Sequence, residues 1–198
     1  MFLDQIEYFP EITDTESARI GLERWQEQPG LLSDQALADR TRFIAEHRNG
    51  GRLLQGLFAN SPYLTRLLIR DIEFAAALLE DGPDATEARL KADAAALNTA
   101  ELMTALRVLK RHYSLTTAIA DITRVWPLER VTGALSELAD IAIATAWRHA
   151  LHLQTSNGNL PTAGGDDILD GSGLICLGMG KLGARELNYS SDIDLIVF

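Results

Sequence analysis

Through residue 153, apolar positions recur at intervals of three and four, the repeat of a helix with one buried face. The punctuation between these runs predicts where each helix starts and stops. Thr13 and Glu16 have capping-box spacing, which predicts a helix over residues 13–27 ended by Pro29-Gly30. Ser33 is placed to cap a second helix over 33–48, stopped by Asn49-Gly50-Gly51. Leu53, Leu54, Leu57 and Phe58 form the stripe of a short third helix. Ser61-Pro62 restarts the chain with serine at the cap and proline at the first helical position, and Leu64, Leu67 and Leu68 continue the stripe. Asp71 stands before a segment over 72–80 closed by Gly82-Pro83. Ahead of all these, residues 1–13 read as an irregular lead-in whose Phe2, Leu3, Ile6, Tyr8 and Phe9 can tuck against a helix.

From Asp84 the helices lengthen. An alanine-rich segment spans 85–97, and Asn98 and Glu101 have side chains suited to capping the helix that runs to 122. Leu102, Leu106, Leu109, Tyr113 and Ile119 fall on one side of it. Trp126-Pro127 breaks it. The next helix, 128–153, carries Leu128, Val131, Leu135, Leu138 and Ala142 at alternating steps of three and four, a bundle-type seam. Residues 154–173 contain SNGNLPTAGGDD and read as a linker.

The pattern changes at Leu174. Leu174-Ile175-Cys176-Leu177 is too short for an independent helix and has strand character. It runs into Gly178-Met179-Gly180-Lys181-Leu182-Gly183. After Ala184 to Ser191, Asp192-Ile193-Asp194 opens a second β-branched and aromatic run, Leu195-Ile196-Val197-Phe198. Residues two apart on a strand share a face, roughly 6.5–7 Å apart. Asp192 and Asp194 therefore form a carboxylate pair, with Ile193, Leu195 and Val197 expected to turn the other way into a core. Paired carboxylates repel unless a cation lies between them. Mg2+ is the usual occupant, a hard ion content with one or two carboxylates plus phosphate oxygens. Gly178, Gly180 and Gly183 permit close approach of a phosphate to the backbone, and Lys181 offers a point charge.

Two common nucleotide loops fail on spacing. A dinucleotide-binding loop needs a helix and a parallel strand after the third glycine, but only eight residues separate Gly183 from Asp192. A Walker A loop needs glycine where this chain has Ile175. The short connection predicts neighbouring antiparallel strands.

Gly180-Lys181, ten residues, then Asp192-Ile193-Asp194 resembles the signature of the DNA polymerase β-like nucleotidyltransferases. Lys181 departs from that broad superfamily, where serine is usual. The longer string GMGKLGARELNYSSDIDLIVF is similar to the first of two nucleotidyltransferase repeats in the bifunctional glutamine synthetase adenylyltransferase/adenylyl-removing enzymes, where lysine is the expected residue. Residues 125–132, VWPLERVT, are also similar to the helical part of that family. The resemblance implies an α+β fold: a mostly helical region, 1–153, a linker, 154–173, and from 174 the opening β-loop-β of a nucleotidyltransferase domain. It implies catalytic, metal-binding Asp192 and Asp194, with Gly178, Gly180, Lys181, Gly183 and Ser191 on the nucleotide and its phosphates. It implies Mg2+ as cofactor and glutamine synthetase, ATP or ADP, and phosphate as partners. For the full-length enzyme it adds a PII-type signal protein and glutamine as effectors. The activity implied for this repeat is phosphorolytic removal of AMP from a tyrosine of glutamine synthetase. Adding AMP from ATP belongs to the other repeat. The superfamily usually takes a third carboxylate from a later strand, so the chain ending at Phe198 is expected to be inactive alone. Alternatives are another nucleotidyltransferase of the superfamily, such as a uridylyltransferase, or a helical docking module in which the motif is only structural.

Composition narrows the partners. The 198 residues carry a formal net charge of −10, which argues against a nucleic-acid backbone as partner. One cysteine excludes an internal disulfide and suits a reducing cytoplasm. No apolar run reaches about 18 residues, so no membrane is expected. The N-terminus has acids where a signal peptide has bases. Among lesser candidates, His149 and His152 read as solvated and Cys176 as a buried small side chain. Arg107, Lys110, Arg111 and His112 read as a solvated helix face, with a phosphate or an acidic partner as the alternative. Arg185 and Glu186 suit either a substrate contact or a surface ion pair.

Overall fold

The computed structural model describes residues 1–28, 33–97, 101–160, 167–169 and 172–198. Its elements are a 3-10 turn Phe2–Gln5, α1 Thr15–Gln26, α2 Gln35–Glu46, α3 Arg48–Asn60, α4 Pro62–Arg70, α5 Ile72–Asp81, α6 Pro83–Ala95, α7 Leu102–Ile122, α8 Leu128–Ser156, β1 Cys176–Gly178, α9 Gly180–Gly183 and β2 Leu195–Val197. The fold is mostly helical with a two-stranded antiparallel sheet, the α+β arrangement expected. The chain divides into two bodies. One holds residues 1–92 and 111–127, the other 93–110 and 128–198, so the chain leaves the first within α6 and re-enters it within α7.

The first body is organised around α3. Leu53, Leu54 and Leu57 are fully buried in one cluster with Trp25, Ile44, Leu68, Leu78, Leu79 and Ile119. The Trp25 indole N–H donates to the Thr41 carbonyl at 3.0 Å, satisfying the one polar atom of the largest buried side chain. The lead-in is tied down: Phe2, Leu3 and Ile6 are buried, and Asn49 donates to the Leu3 carbonyl at 2.9 Å.

Several predicted boundaries move. Asp14, not Thr13, caps α1, accepting from the Glu16 and Ser17 amides, while the Thr13 hydroxyl donates to Asn60. Asp34, not Ser33, caps α2. Asn49-Gly50-Gly51 lies inside α3 rather than ending α2, and the break is the single extended residue His47. Glycine is needed there for proximity. A Cβ on Gly50 would lie 2.2 Å from the Ile44 carbonyl oxygen, and one on Gly51 2.5 Å from that of Ala45. Ser61-Pro62 starts α4 as read, the Ser61 hydroxyl accepting from the Leu64 amide at 3.2 Å. Asp71 precedes α5 but makes no cap hydrogen bond; its carboxylate takes Arg111 instead. The predicted stops at Pro29-Gly30 and the cap at Asn98 lie outside the described residues.

In the second body α8 is the platform. Val131 and Leu135 are buried as the seam predicts, Leu138 and Ala142 are half-buried, and Leu128 is 69% exposed. Arg148 pairs with Asp167 through two hydrogen-bonding nitrogens, the closest contact at 2.7 Å. Among the described residues no helix is long and apolar enough to cross a membrane.

Candidate active site

The glycine loop and the aspartate pair meet across the hairpin. β1 and β2 run antiparallel with Cys176 opposite Val197, Leu177 opposite Ile196 and Gly178 opposite Leu195. Backbone pairing continues past both ends of the assigned strands. Ile175 and Phe198 exchange hydrogen bonds at 3.0 and 2.9 Å, and the Met179 amide donates to the Asp194 carbonyl at 2.9 Å. The pairing thus ends where Met179, next to Gly180-Lys181, faces Asp194. Both strands are shorter than predicted, and Asp192 and Ile193 precede β2 as irregular backbone.

The connection explains this geometry. Gly180–Gly183 forms a single helical turn, α9, with Gly180 at φ +54°, a backbone region that a side chain disfavours. Gly183 sits against β1, where a Cβ would lie 2.4 Å from the Gly178 carbonyl oxygen. Leu182 and Leu187 are buried against Leu135 with Ala139 and Ile143. Ser136, itself fully buried, donates to the Thr132 carbonyl and accepts from the Leu187 amide at 3.5 Å. Arg185, at φ +58°, reaches back to Asp140 at 3.1 Å, so of its two readings the ion pair is the one formed. The loop is thereby fastened to one face of α8. Sequence reasoning missed Ser136 and Asp140. A lone serine within the apolar seam was the available signal for the first.

Asn188 then starts a turn. The Ser190 amide and the Ser191 hydroxyl donate to its side-chain oxygen at 3.1 and 2.9 Å, and its own amide donates to the Ser191 hydroxyl at 3.1 Å. Ser191 therefore shapes the turn that delivers Asp192. Asp192, Asp194 and Lys181 are exposed, and neither carboxylate has a hydrogen bond or ion pair among the described residues. The pairing sets Gly178 opposite Leu195 and Met179 beside Asp194, with Gly180, Lys181 and Gly183 following on one side and Ser191 and Asp192 leading in on the other.

Two hard, unpartnered carboxylates at the head of a strand suit Mg2+, which draws its remaining ligands from water and phosphate oxygens. Among the described residues no group of three or more His, Cys, Asp or Glu side chains converges on one point.

One expectation fails. Ile193, Leu195 and Val197 do not enter a core: they are 44%, 37% and 53% exposed. Leu195 instead borders a cavity of about 250 Å3 against α8, lined also by Ile143, Trp147, Cys176 and Leu182. A two-stranded sheet has too little area to bury both faces. Cys176 is likewise only half-buried.

With this geometry in hand, known proteins can be compared. The glutamate-ammonia ligase adenylyltransferase family matches residues 51–198, three quarters of the chain and all of the hairpin. The chain belongs to this family. Among curated relatives, the bifunctional glutamine synthetase adenylyltransferase/adenylyl-removing enzyme of Bradyrhizobium diazoefficiens is 44% identical over 154 residues, 75% of this chain and 16% of that protein. Proteins of the same name from Rhodopseudomonas palustris strain BisB5 and Caulobacter vibrioides are 40% and 42% identical over 82% and 73% of this chain, covering 17% and 15% of their own lengths. The chain thus spans about a sixth of the adenylyltransferase-family relatives it matches. No solved structure matches it.

Proposed function

We propose that the β1–α9–β2 hairpin is the phosphate- and metal-binding half of a nucleotidyltransferase site, which in the whole enzyme removes AMP from a tyrosine of glutamine synthetase. The observation that supports this reading is the hydrogen bond from the Met179 amide to the Asp194 carbonyl, which sets the backbone at the start of the glycine loop beside that of Asp194. Membership of the adenylyltransferase family supports the reaction class, and the printed names of the relatives include adenylyl removal. The wording GKLGARELNYSSDID supports the removing repeat, because it is this repeat that the string resembles.

The chemistry is an in-line displacement at phosphorus. An oxygen of inorganic phosphate attacks the adenylyl phosphorus, the bond from phosphorus to the tyrosine oxygen breaks, and the tyrosine oxygen takes a proton. The products are ADP and free tyrosine. Lys181 and the backbone around Gly180 hold the phosphate oxygens in line, as a point charge and a set of N–H donors. Ser191 fixes the turn that aims the aspartates. Asp192 and Asp194 hold the metal, and Mg2+ when bound supplies positive charge for the attacking and leaving oxygens. Adding AMP from ATP is the same displacement with tyrosine as nucleophile. A PII-type protein and glutamine are the proposed effectors of the whole enzyme, acting in the cytoplasm.

Metal titration of the 198-residue chain tests the site without turnover. Mn2+, a paramagnetic stand-in for Mg2+, is expected to broaden the amide signals of Gly180, Lys181 and residues 191–194 first. Asp192→Asn should weaken that effect at least tenfold. Broadening that starts elsewhere, or survives the substitution, removes these carboxylates from the metal site.

A further inference from the structure

A second anion site is suggested in the first body, among residues that the hairpin chemistry does not use. Arg24 of α1, Tyr63, Arg66 and Arg70 of α4, and Arg111 of α7 line one groove of about 500 Å3, a volume in the range of small-ligand pockets. Gln28 adds an uncharged polar group, and among the described residues no Asp or Glu lines it. Four arginines therefore border a shared space in a chain whose net charge is −10.

Arg111 differs from the other three. Its side chain is only 20% exposed, and Asp71 takes its Nε at 2.9 Å and one Nη at 3.3 Å. The hydrogen bond that Arg111 donates to Asp71 leads the effects that keep this guanidinium charged. Arg111 is thus pinned before any ligand arrives, which lowers the ordering cost of binding. This also corrects the expectation that Arg111 and His112 lie on a solvated face. The His112 ring stacks on Phe74 with centroids 3.8 Å apart.

The side chains of Arg24, Arg66 and Arg70 have no hydrogen bond or ion pair among the described residues. Elsewhere in the first body Arg19 pairs with Glu16 and Glu23, Arg40 with Glu80, Arg42 with Asp39 and Arg89 with Asp81, while Arg52 and Arg124 lie over the rings of Phe9 and Tyr8. Arg66 and Arg70 sit four apart on α4, where like charges repel by a few tenths of a kcal/mol. Three uncompensated cations around a preset fourth form a site for a dense anion. Guanidinium forks match phosphoryl oxygens in pairs, and three or four of them match the charge of a diphosphate better than that of a single carboxylate.

We propose that this groove binds a small ligand carrying a diphosphate group, independently of the hairpin site. Two sources share that chemistry, inorganic pyrophosphate and a nucleoside diphosphate. Isothermal titration of the 198-residue chain with pyrophosphate, and separately with ADP, distinguishes them at fixed 0.15 M KCl and without divalent metal. Saturable binding of at least one is expected. The double variant Arg66→Gln/Arg70→Gln should weaken it at least tenfold, while Asp192→Asn leaves it unchanged. Tighter binding of ADP than of pyrophosphate marks a nucleotide site; equal binding marks a bare diphosphate site. Both changed arginines are exposed and unpartnered, so the variant is expected to melt at or above the wild-type temperature, which checks that it folds. No saturable binding by the wild type, or equal binding by the double variant, overturns the proposal.

Discussion

Gly180 and Gly183 do different work three residues apart. Gly180 holds φ +54° with open space where a Cβ would be, whereas Gly183 has no room beside the Gly178 carbonyl. Gly180→Ala should therefore cost about 1–2 kcal/mol of backbone strain. Gly180→Asn should cost less, because asparagine tolerates that region. Exchange of the Met179 amide reports it, since that N–H closes the head of the hairpin, and it should speed up more in the alanine variant. Asp167 offers a second residue-level test. The Arg148 hydrogen bond, then the Leu169 amide, hold its carboxyl below the ordinary value of 3.8. A depressed folded value means that the contribution is present above the unfolded value and is lost as pH falls through the folded one. Acid titration followed at the Leu169 amide should show local release only below about pH 4. Release beginning near pH 6 would contradict the pairing.

At the scale of elements, helices were legible from periodicity and their ends were not. Thr13 and Asp14, or Ser33 and Asp34, are equally good caps by type, and tertiary contacts choose between them: the Thr13 hydroxyl is taken by Asn60. Asn49-Gly50-Gly51 has the composition of a stop, yet those glycines let the first turn of α3 press on the end of α2. Gly50→Ala should accordingly destabilise by about 1–3 kcal/mol, an overpacking cost against backbone that cannot move aside. Ser61→Ala should lose about 1 kcal/mol as a missing cap. Urea unfolding of both variants checks the order, Gly50→Ala being the worse. The antiparallel hairpin was legible because eight residues leave no room for a crossover helix. Its fastening to α8 was not, because Ser136 and Asp140 lie 51 and 45 residues from the groups they hold.

For the whole molecule, the two bodies carry different parts of the account. The helical body has a large core built on α3. The second body presents a hairpin whose β2 side chains stay exposed on both faces, from 37% at Leu195 to 53% at Val197. The antiparallel pairing of the chain's last twenty-five residues was legible in the sequence, since the short connection brings the backbone of Met179 against that of Asp194. The arginine groove was not, because Arg24, Arg66 and Arg111 come from three separate helices. The most direct test of the central claim uses the full-length enzyme with Asp192→Asn and Asp194→Asn, measuring ADP release from adenylylated glutamine synthetase at saturating Mg2+ and phosphate. The account predicts at least a hundredfold loss in each variant, with unchanged melting and with the ATP-dependent addition of AMP retained. Near-normal ADP release in either variant would contradict it.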